Sequence, residues 1–254
     1  MANSLLLVTG GTGTLGGHVL PLLRAAGRDV RVLTRSARPS ADGVTYVRGD
    51  LLGDEGIDAA VAGVGTVLHL AGGAKGDDVA TRNLVRAARR SGVEHLVHIS
   101  VIGADRLPLG YFRSKLGAEQ AVADSGLPYT TLRAAQFHDL ALKVATGMAR
   151  MPVVPAPGGI RWQPVDSREV AARLVELALD EPAGLVPDLA GPTVYPMAEM
   201  VRGYLRASGR RRPMLPVRVP GRVGRAYRAG DNLTLIGAQT GRRTWEEFLA
   251  ERVG

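Results

Sequence analysis

The chain has no cysteine. That excludes disulfides, thiol nucleophiles and cysteine-ligated zinc, and it fits the cytoplasm. Lysine is scarce, with only Lys75, Lys115 and Lys143 present, so the formal charge of +8 rests almost wholly on arginine. Aromatic residues make up 4% of the chain. They are nearly absent from the basic stretch 209–230, which removes the stacking platforms that single-stranded nucleic acid uses and argues against a nucleic-acid partner. No apolar run approaches the ~20 residues of a membrane helix, and no membrane partner is expected. The run at 4–8 is too short, and lacks the basic leader, for a secretory signal.

What is present is an ordinary globular composition, 45% hydrophobic over 254 residues. Apolar runs near 4–9, 29–34, 44–48, 65–70, 94–101 and 128–133 alternate with helical patterns near 14–26, 55–62, 77–91, 111–125 and 136–149. That alternation predicts an α/β fold, a Rossmann-type doubly wound parallel sheet. After Arg150 the texture changes. Residues 151–164 carry four prolines and read as extended loop. Asp166 and Glu169 read as a capping box opening a helix through Leu179. Helices follow near 197–208 and 245–252. The division expected is a dinucleotide-binding domain over 1–150 and a smaller, irregular substrate-covering lobe over 151–254.

The octet Thr9-Gly10-Gly11-Thr12-Gly13-Thr14-Leu15-Gly16 joins the first strand to the first helix. Gly10 permits a tight turn, Gly13 leaves room for a diphosphate, and Gly16 allows close packing of helix on strand. The helix N-terminus aims free N–H groups and its positive dipole end at the same anion. An acidic residue at the end of the second strand would select NAD by holding the ribose 2′-hydroxyl. Here the strand ends in Arg35 and Ser36 with Arg38 close behind, which favours a 2′-phosphate and therefore NADP.

Tyr111 and Lys115 stand four apart on one helix. An ammonium so placed lowers the phenol's pKa toward working pH, so the phenol can give or take a proton. None of the five histidines forms a metal set. His69, His95 and His98 read as core or turn residues. His138, just after the sixth strand, is the one placed to meet substrate.

With these stretches in place, the chain resembles the short-chain dehydrogenase/reductase superfamily, and most closely its atypical, NmrA-like branch. The octet carries the likeness together with Gly49-Asp50-Leu51, Leu70-Ala71-Gly72-Gly73, His98-Ile99-Ser100, the Tyr111/Lys115 pair and the run Leu132 to Phe137. It covers about 1–180. The resemblance implies that Asp50 and Leu51 contact adenine and that Leu70, Ala71, Gly72 and Gly73 lie along the diphosphate and ribose. It also implies that Lys115 bonds the ribose, and that Ala134 and Gln136 flank the nicotinamide. Gln136, Phe137 and His138 would then face substrate. One departure stands out. The main branch places a substrate-binding serine where this chain has Val101; Ser100, one residue off, serves only if the strand ends irregularly.

The function expected is NADPH-dependent reduction of a carbonyl, quinone or conjugated double bond of an apolar small molecule. Tyr111 is the proton donor, Lys115 lowers its pKa, and the protein is a monomer or homodimer. The pocket is expected between the carboxyl edge of the sheet and residues 136–165 with 190–230. The alternative of another class is a non-catalytic NADP-binding redox sensor, favoured by Val101.

Overall fold

The computed structural model describes residues 5–40, 43–73 and 75–253. Ser4, at the start of the first expected strand, lies outside them. In chain order the elements are β1 (Leu5–Thr9), α1 (Thr14–Ala25), β2 (Val30–Thr34), β3 (Val44–Arg48), α2 (Ile57–Val61), β4 (Val64–His69), α3 (Asp77–Arg90), β5 (His95–Val101), α4 (Gly110–Ala123), β6 (Tyr129–Ala134) and α5 (His138–Met148). Then come β7 (Val154–Pro157), β8 (Arg161–Trp162), α6 (Ser167–Leu179), β9 (Gly184–Leu185), β10 (Leu189–Ala190), β11 (Tyr195–Pro196), α7 (Met197–Ala207), β12 (Met214–Val217), α8 (Gly221–Ala229), β13 (Gln239–Thr240) and α9 (Trp245–Arg252).

The chain forms two compact units that interleave in sequence. The first comprises Met1–Ser100, Arg113–Leu132 and Val170–Val186; the second comprises Val101–Phe112, Arg133–Glu169 and Pro187–Gly254.

The first unit is built on parallel strands in the order β3-β2-β1-β4-β5-β6, with β9 beside β6. Val8 pairs with Val32 on one side and with Leu68 on the other, and Leu68 in turn pairs with Val97. Such strands are apolar on both faces because helices cover both; all seven residues of β5 are buried. The order reverses between β1 and β4. In an open α/β sheet this is where the strand ends diverge and leave a crevice for ligand. Helix α3 shows how the cover is attached. Thr81, Leu84, Val85 and Ala88 are buried at helical spacing, whereas Arg82, Arg86 and Arg90 face water and pair with Asp78, Asp54 and Asp58. Leu84 and Val85 join Leu7, Val67, Leu96 and Val122 in a single core cluster.

The second unit has its own core, in which Trp162, Tyr195, Met200, Val201, Tyr204, Trp245 and Phe248 pack together. Leu189 of β10 pairs with Ala134 at the end of β6, and β13 runs parallel to β10. Two small sheets complete it, antiparallel β8/β11 and parallel β7/β12. The expectation of loop over 151–164 therefore needs correcting, since β7 and β8 lie within it. Pro155 and Pro157 cost the strand donors, which a two-stranded edge tolerates.

The capping box expected at Asp166 and Glu169 is also corrected. Asp166 does cap α6, but through the Arg168 N–H at 2.8 Å. The Glu169 carboxylate turns instead to the Arg242 N–H. A reciprocal box exists at α9, where Thr244 accepts from the Glu247 N–H and Glu247 accepts from the Thr244 N–H.

Candidate nucleotide-binding site

The site in the first unit starts from the end of β1. Gly10 has φ +71°, and a Cβ there would lie 2.6 Å from the Ala71 nitrogen, so only glycine allows the turn to pass under the end of β4. Gly16 has no room either: its Cβ would overlap the Gly11 backbone, which locks the first turn of α1 onto the glycine turn rather than onto the strand itself. Gly13 differs. A Cβ there would meet only the Gly10 carbonyl at 3.4 Å, so that position is open toward the groove. Helix α1 begins with no side-chain cap and no acidic residue in its first turn. The Thr14, Leu15 and Gly16 amides belong to the turn that has no intrahelical acceptor, the first ladder bond being Gly17 N–H to the Gly13 carbonyl. Uncapped amides and the positive end of a helix dipole have the chemistry that suits an anion.

A groove of about 480 Å³ runs from this turn along the strand ends. Gly10, Thr12, Gly13, Arg35, Ser36, Arg38, Asp50, Leu51 and the whole segment Leu70–Gly73 line it, so the structure brings those expected residues together. Arg35 and Arg38 are exposed and form no ion pair among the described residues. Asp50 closes a small turn, with its carboxylate accepting from the Leu52 N–H at 3.0 Å and its backbone bridged to Glu55. Thr14, Leu15 and Gly16 lie just inside α1 rather than on the groove wall.

Lys115 sits behind the groove. Its ammonium is 2.8 Å from the Asp77 carboxylate, and a Cβ on Gly72 would meet its Nζ at 2.8 Å. Asp77 also accepts from the Gly73 N–H at 2.7 Å. This aspartate, at the N-terminus of α3, was not among the expected site residues. Beside it runs a buried polar chain. The Thr9 hydroxyl meets His69 Nδ1 at 2.7 Å, His69 Nε2 meets the Thr81 hydroxyl at 3.0 Å, and the His98 ring stacks on His69. Burial, reinforced by the Lys115 charge, pushes the His69 pKa down to about 3. Burial, then His69 and Lys115, hold His98 well below its ordinary value. Both rings are neutral at physiological pH.

Ser100 needs a correction. Strand β5 runs through Val101 without the irregular end that would turn Ser100 to the other face, and the Ser100 hydroxyl is buried without a hydrogen-bond partner. Val101 is buried beside it. Tyr111 occupies the first turn of α4, 38% exposed, with its ring edge-on to Phe112.

The residues after β6 belong to the second unit. Ala134 is buried in its pairing with Leu189. Gln136 is half-buried, with an orphaned side-chain oxygen, and Phe137 bridges to Val165. The expectation that His138 meets substrate is overturned. It is 0% exposed, packed against Trp245 and Phe248, and burial pushes its pKa down to about 4 against the pull of Asp166 and Asp139. Its ring completes the core of the second unit.

A glycine turn that excludes Cβ atoms, uncapped amides, and arginines where an acid would stand together fit a dinucleotide. Residues 10–181 match the family described as NAD(P)H-binding. The chain belongs to the NAD(P)H-binding family. It lies in the atypical, NmrA-like branch of the short-chain dehydrogenase/reductase superfamily. Among its relatives is a (4-alkanoyl-5-oxo-2,5-dihydrofuran-3-yl)methyl phosphate reductase of Streptomyces griseus, 33% identical over 81% of this chain and 74% of that one. An NAD(P)H azoreductase of Xenophilus azovorans is 30% identical over 81% and 74%. In fold the chain is similar to the NADPH-dependent quinone oxidoreductase of Escherichia coli solved with NADPH. That likeness has a TM-score of 0.80 at 22% identity, covering 97% of this chain and 99% of that one. Among the described residues no helix is long and apolar enough to cross a membrane.

Proposed function

We propose that this protein is an NADPH-dependent reductase that reduces a carbonyl, a quinone or a conjugated double bond of an apolar small molecule. The observation that carries the reading is the groove itself, with its uncapped helix start at one end and Arg35 and Arg38 at the other. When bound, the reduced nicotinamide supplies the hydride. The α1 amides hold the diphosphate, the two guanidiniums pair with the 2′-phosphate, and Asp50 and Leu51 border the adenine. Leu70–Gly73 follow the ribose, with Lys115 fixed behind them by Asp77. Ala134 and Gln136 serve the nicotinamide end, and Gln136 and Phe137 the substrate.

Tyr111 is the proton donor in this reading, its exposure giving the phenol access to a substrate oxygen. The Lys115 charge, four residues further along α4, favours release of that proton. With Val101 at the strand end and Ser100 buried, no serine assists. The same observation supports a second reading, a redox sensor that binds NADP without turnover. The relatives named as reductases favour the first.

Incubation with NADPH and a panel of quinones, enones and azo dyes, following loss of reduced-nicotinamide absorbance, tests both readings. Turnover with any acceptor supports the reductase. Tight NADPH binding without oxidation by any acceptor would establish the sensor instead.

A further inference from the structure

The net positive charge of this chain is carried by one stretch of its sequence. Residues 202–230 hold nine arginines, from Arg202 to Arg228, and no lysine or acidic residue. The chain has 32 basic and 24 acidic residues in all, so everything outside this segment carries a net −1. All but Arg228 of the nine are exposed, and none of the exposed ones forms an ion pair with a described residue. On α3, by contrast, Arg82, Arg86 and Arg90 each pair with an aspartate.

An apolar surface lies in the middle of this charge. Strand β12 pairs in parallel with β7, Met214 opposite Val154 and Leu215 opposite Pro155, and the Val154 N–H extends the pairing to the Pro213 carbonyl at 2.9 Å. Successive residues of a strand face opposite ways. Val154 and Met214 turn inward, onto the core that holds Val201, Tyr204 and Leu205. Val153, Pro155, Pro213 and Leu215 share the other face, where Leu215 is 58% and Val153 46% exposed. Arg210, Arg211 and Arg212 lead directly into this strand and Arg218 follows it, so the apolar face is bracketed by guanidiniums.

We propose that this face docks on the surface of an anionic lipid bilayer. Leu215 and Val153 enter the interfacial region while the flanking arginines pair with lipid phosphates. Guanidinium suits that role because its planar fork binds phosphate oxygens in pairs. A nucleic acid would use the charge but leave the apolar face against water. The segment also offers no exposed aromatic ring for stacking, since Tyr204 is buried and Tyr227 half-buried. A second copy of the same surface is excluded by like charge. The docking is peripheral and reversible.

Cosedimentation of the full chain with vesicles tests this. One set is pure phosphatidylcholine, the other phosphatidylcholine with phosphatidylglycerol at about three to one. The protein is expected to sediment with the anionic set alone and to be released by salt raised from about 0.1 M to about 0.5 M. Replacing Arg210, Arg211 and Arg212 together by Gln should weaken partition on the order of a hundredfold. Leu215→Ser with Val153→Ser should weaken it on the order of tenfold while preserving the salt dependence. Far-UV circular dichroism and melting temperature identify any variant that fails to fold, and the wild-type comparison needs no variant. Absence of binding to the anionic vesicles at low salt would overturn the proposal. So would an unchanged partition of the folded triple-Gln protein, or tighter binding to duplex DNA than to vesicles at equal salt.

Discussion

Lys115 Nζ and Asp77 Oδ2 stand 2.8 Å apart, with 9% and 7% of their side chains exposed. The same carboxylate accepts the Gly73 N–H, so one residue ties the lysine of α4 to the loop that lines the nucleotide groove. Removing one partner of a buried pair leaves the other charge uncompensated, at about 3–5 kcal/mol. Asp77→Ala is therefore expected to lower the melting temperature by about 10 °C and to weaken NADPH binding. Asp77→Asn keeps an acceptor for Gly73 and should recover part of the affinity. Calorimetric titration of the three proteins checks the order.

Gly10 and Gly13 look alike in sequence and should behave differently. Gly10→Ala forces an alanine into positive φ and against the Ala71 backbone, so the fold itself suffers, by at least ~1–2 kcal/mol. Gly13→Ala has room within the protein and should melt near the wild-type temperature, yet lose NADPH affinity because its methyl enters the diphosphate's space. Thermal unfolding paired with cofactor titration separates the two outcomes.

Arg35 and Arg38 should decide which dinucleotide is held. A charge-assisted hydrogen bond contributes about 1.5–3 kcal/mol, so Arg35→Gln with Arg38→Gln, which removes two, is expected to weaken NADPH on the order of 10²–10⁴-fold and to leave NADH nearly unchanged. An equal loss for both cofactors would remove the guanidiniums from 2′-phosphate recognition.

Tyr111→Phe removes only a hydroxyl from a partly exposed ring. If the phenol is the proton donor, turnover should fall on the order of 10²–10⁴-fold, with the NADPH dissociation constant held within about twofold. Steady-state rates beside a binding isotherm give the answer.

The buried histidines set an acid limit. His69 has a folded pKa near 3 against an unfolded value of 6.5, and His98 is also well below its ordinary value. The unfolded chain thus binds more protons between those limits. Stability is fully present above about pH 6.5 and declines as pH falls toward 3, by up to ~1.4 kcal/mol per pH unit for each ring. His138, near 4, adds to the same slope. Urea midpoints from pH 7 to pH 4 should fall steadily, and His69→Gln should flatten the profile. A midpoint independent of pH over that range would contradict the neutral assignment.

The glycine turn and the residues that line the groove beside it were legible in the sequence because their determinants are local. Three glycines at fixed spacing between a strand and a helix specify the turn, and Arg35 follows the next strand directly. Asp77 left no such trace. Its meaning depends on Lys115, far along the chain, reaching it across the end of a strand. His138 misled for the same reason, since its position after β6 suggested substrate, and only Trp245 and Phe248 reveal it as core. Strands β7 and β12 are hidden in the sequence because Pro155, Pro157 and Pro216 read as loop, although an edge sheet accepts them. The cap at Thr244 and Glu247, by contrast, has a spacing that sequence alone shows.

Helix α1 starts without a side chain to quiet its first amides. A bound diphosphate would do for that helix what an aspartate cap does for α6, so the ligand finishes a piece of secondary structure as it binds. Affinity and heat resistance are then two readings of one equilibrium. At a hundred times its dissociation constant, a ligand that recognises only the folded chain adds about 2.7 kcal/mol. The melting temperature of this protein therefore serves as a cofactor gauge that needs no substrate.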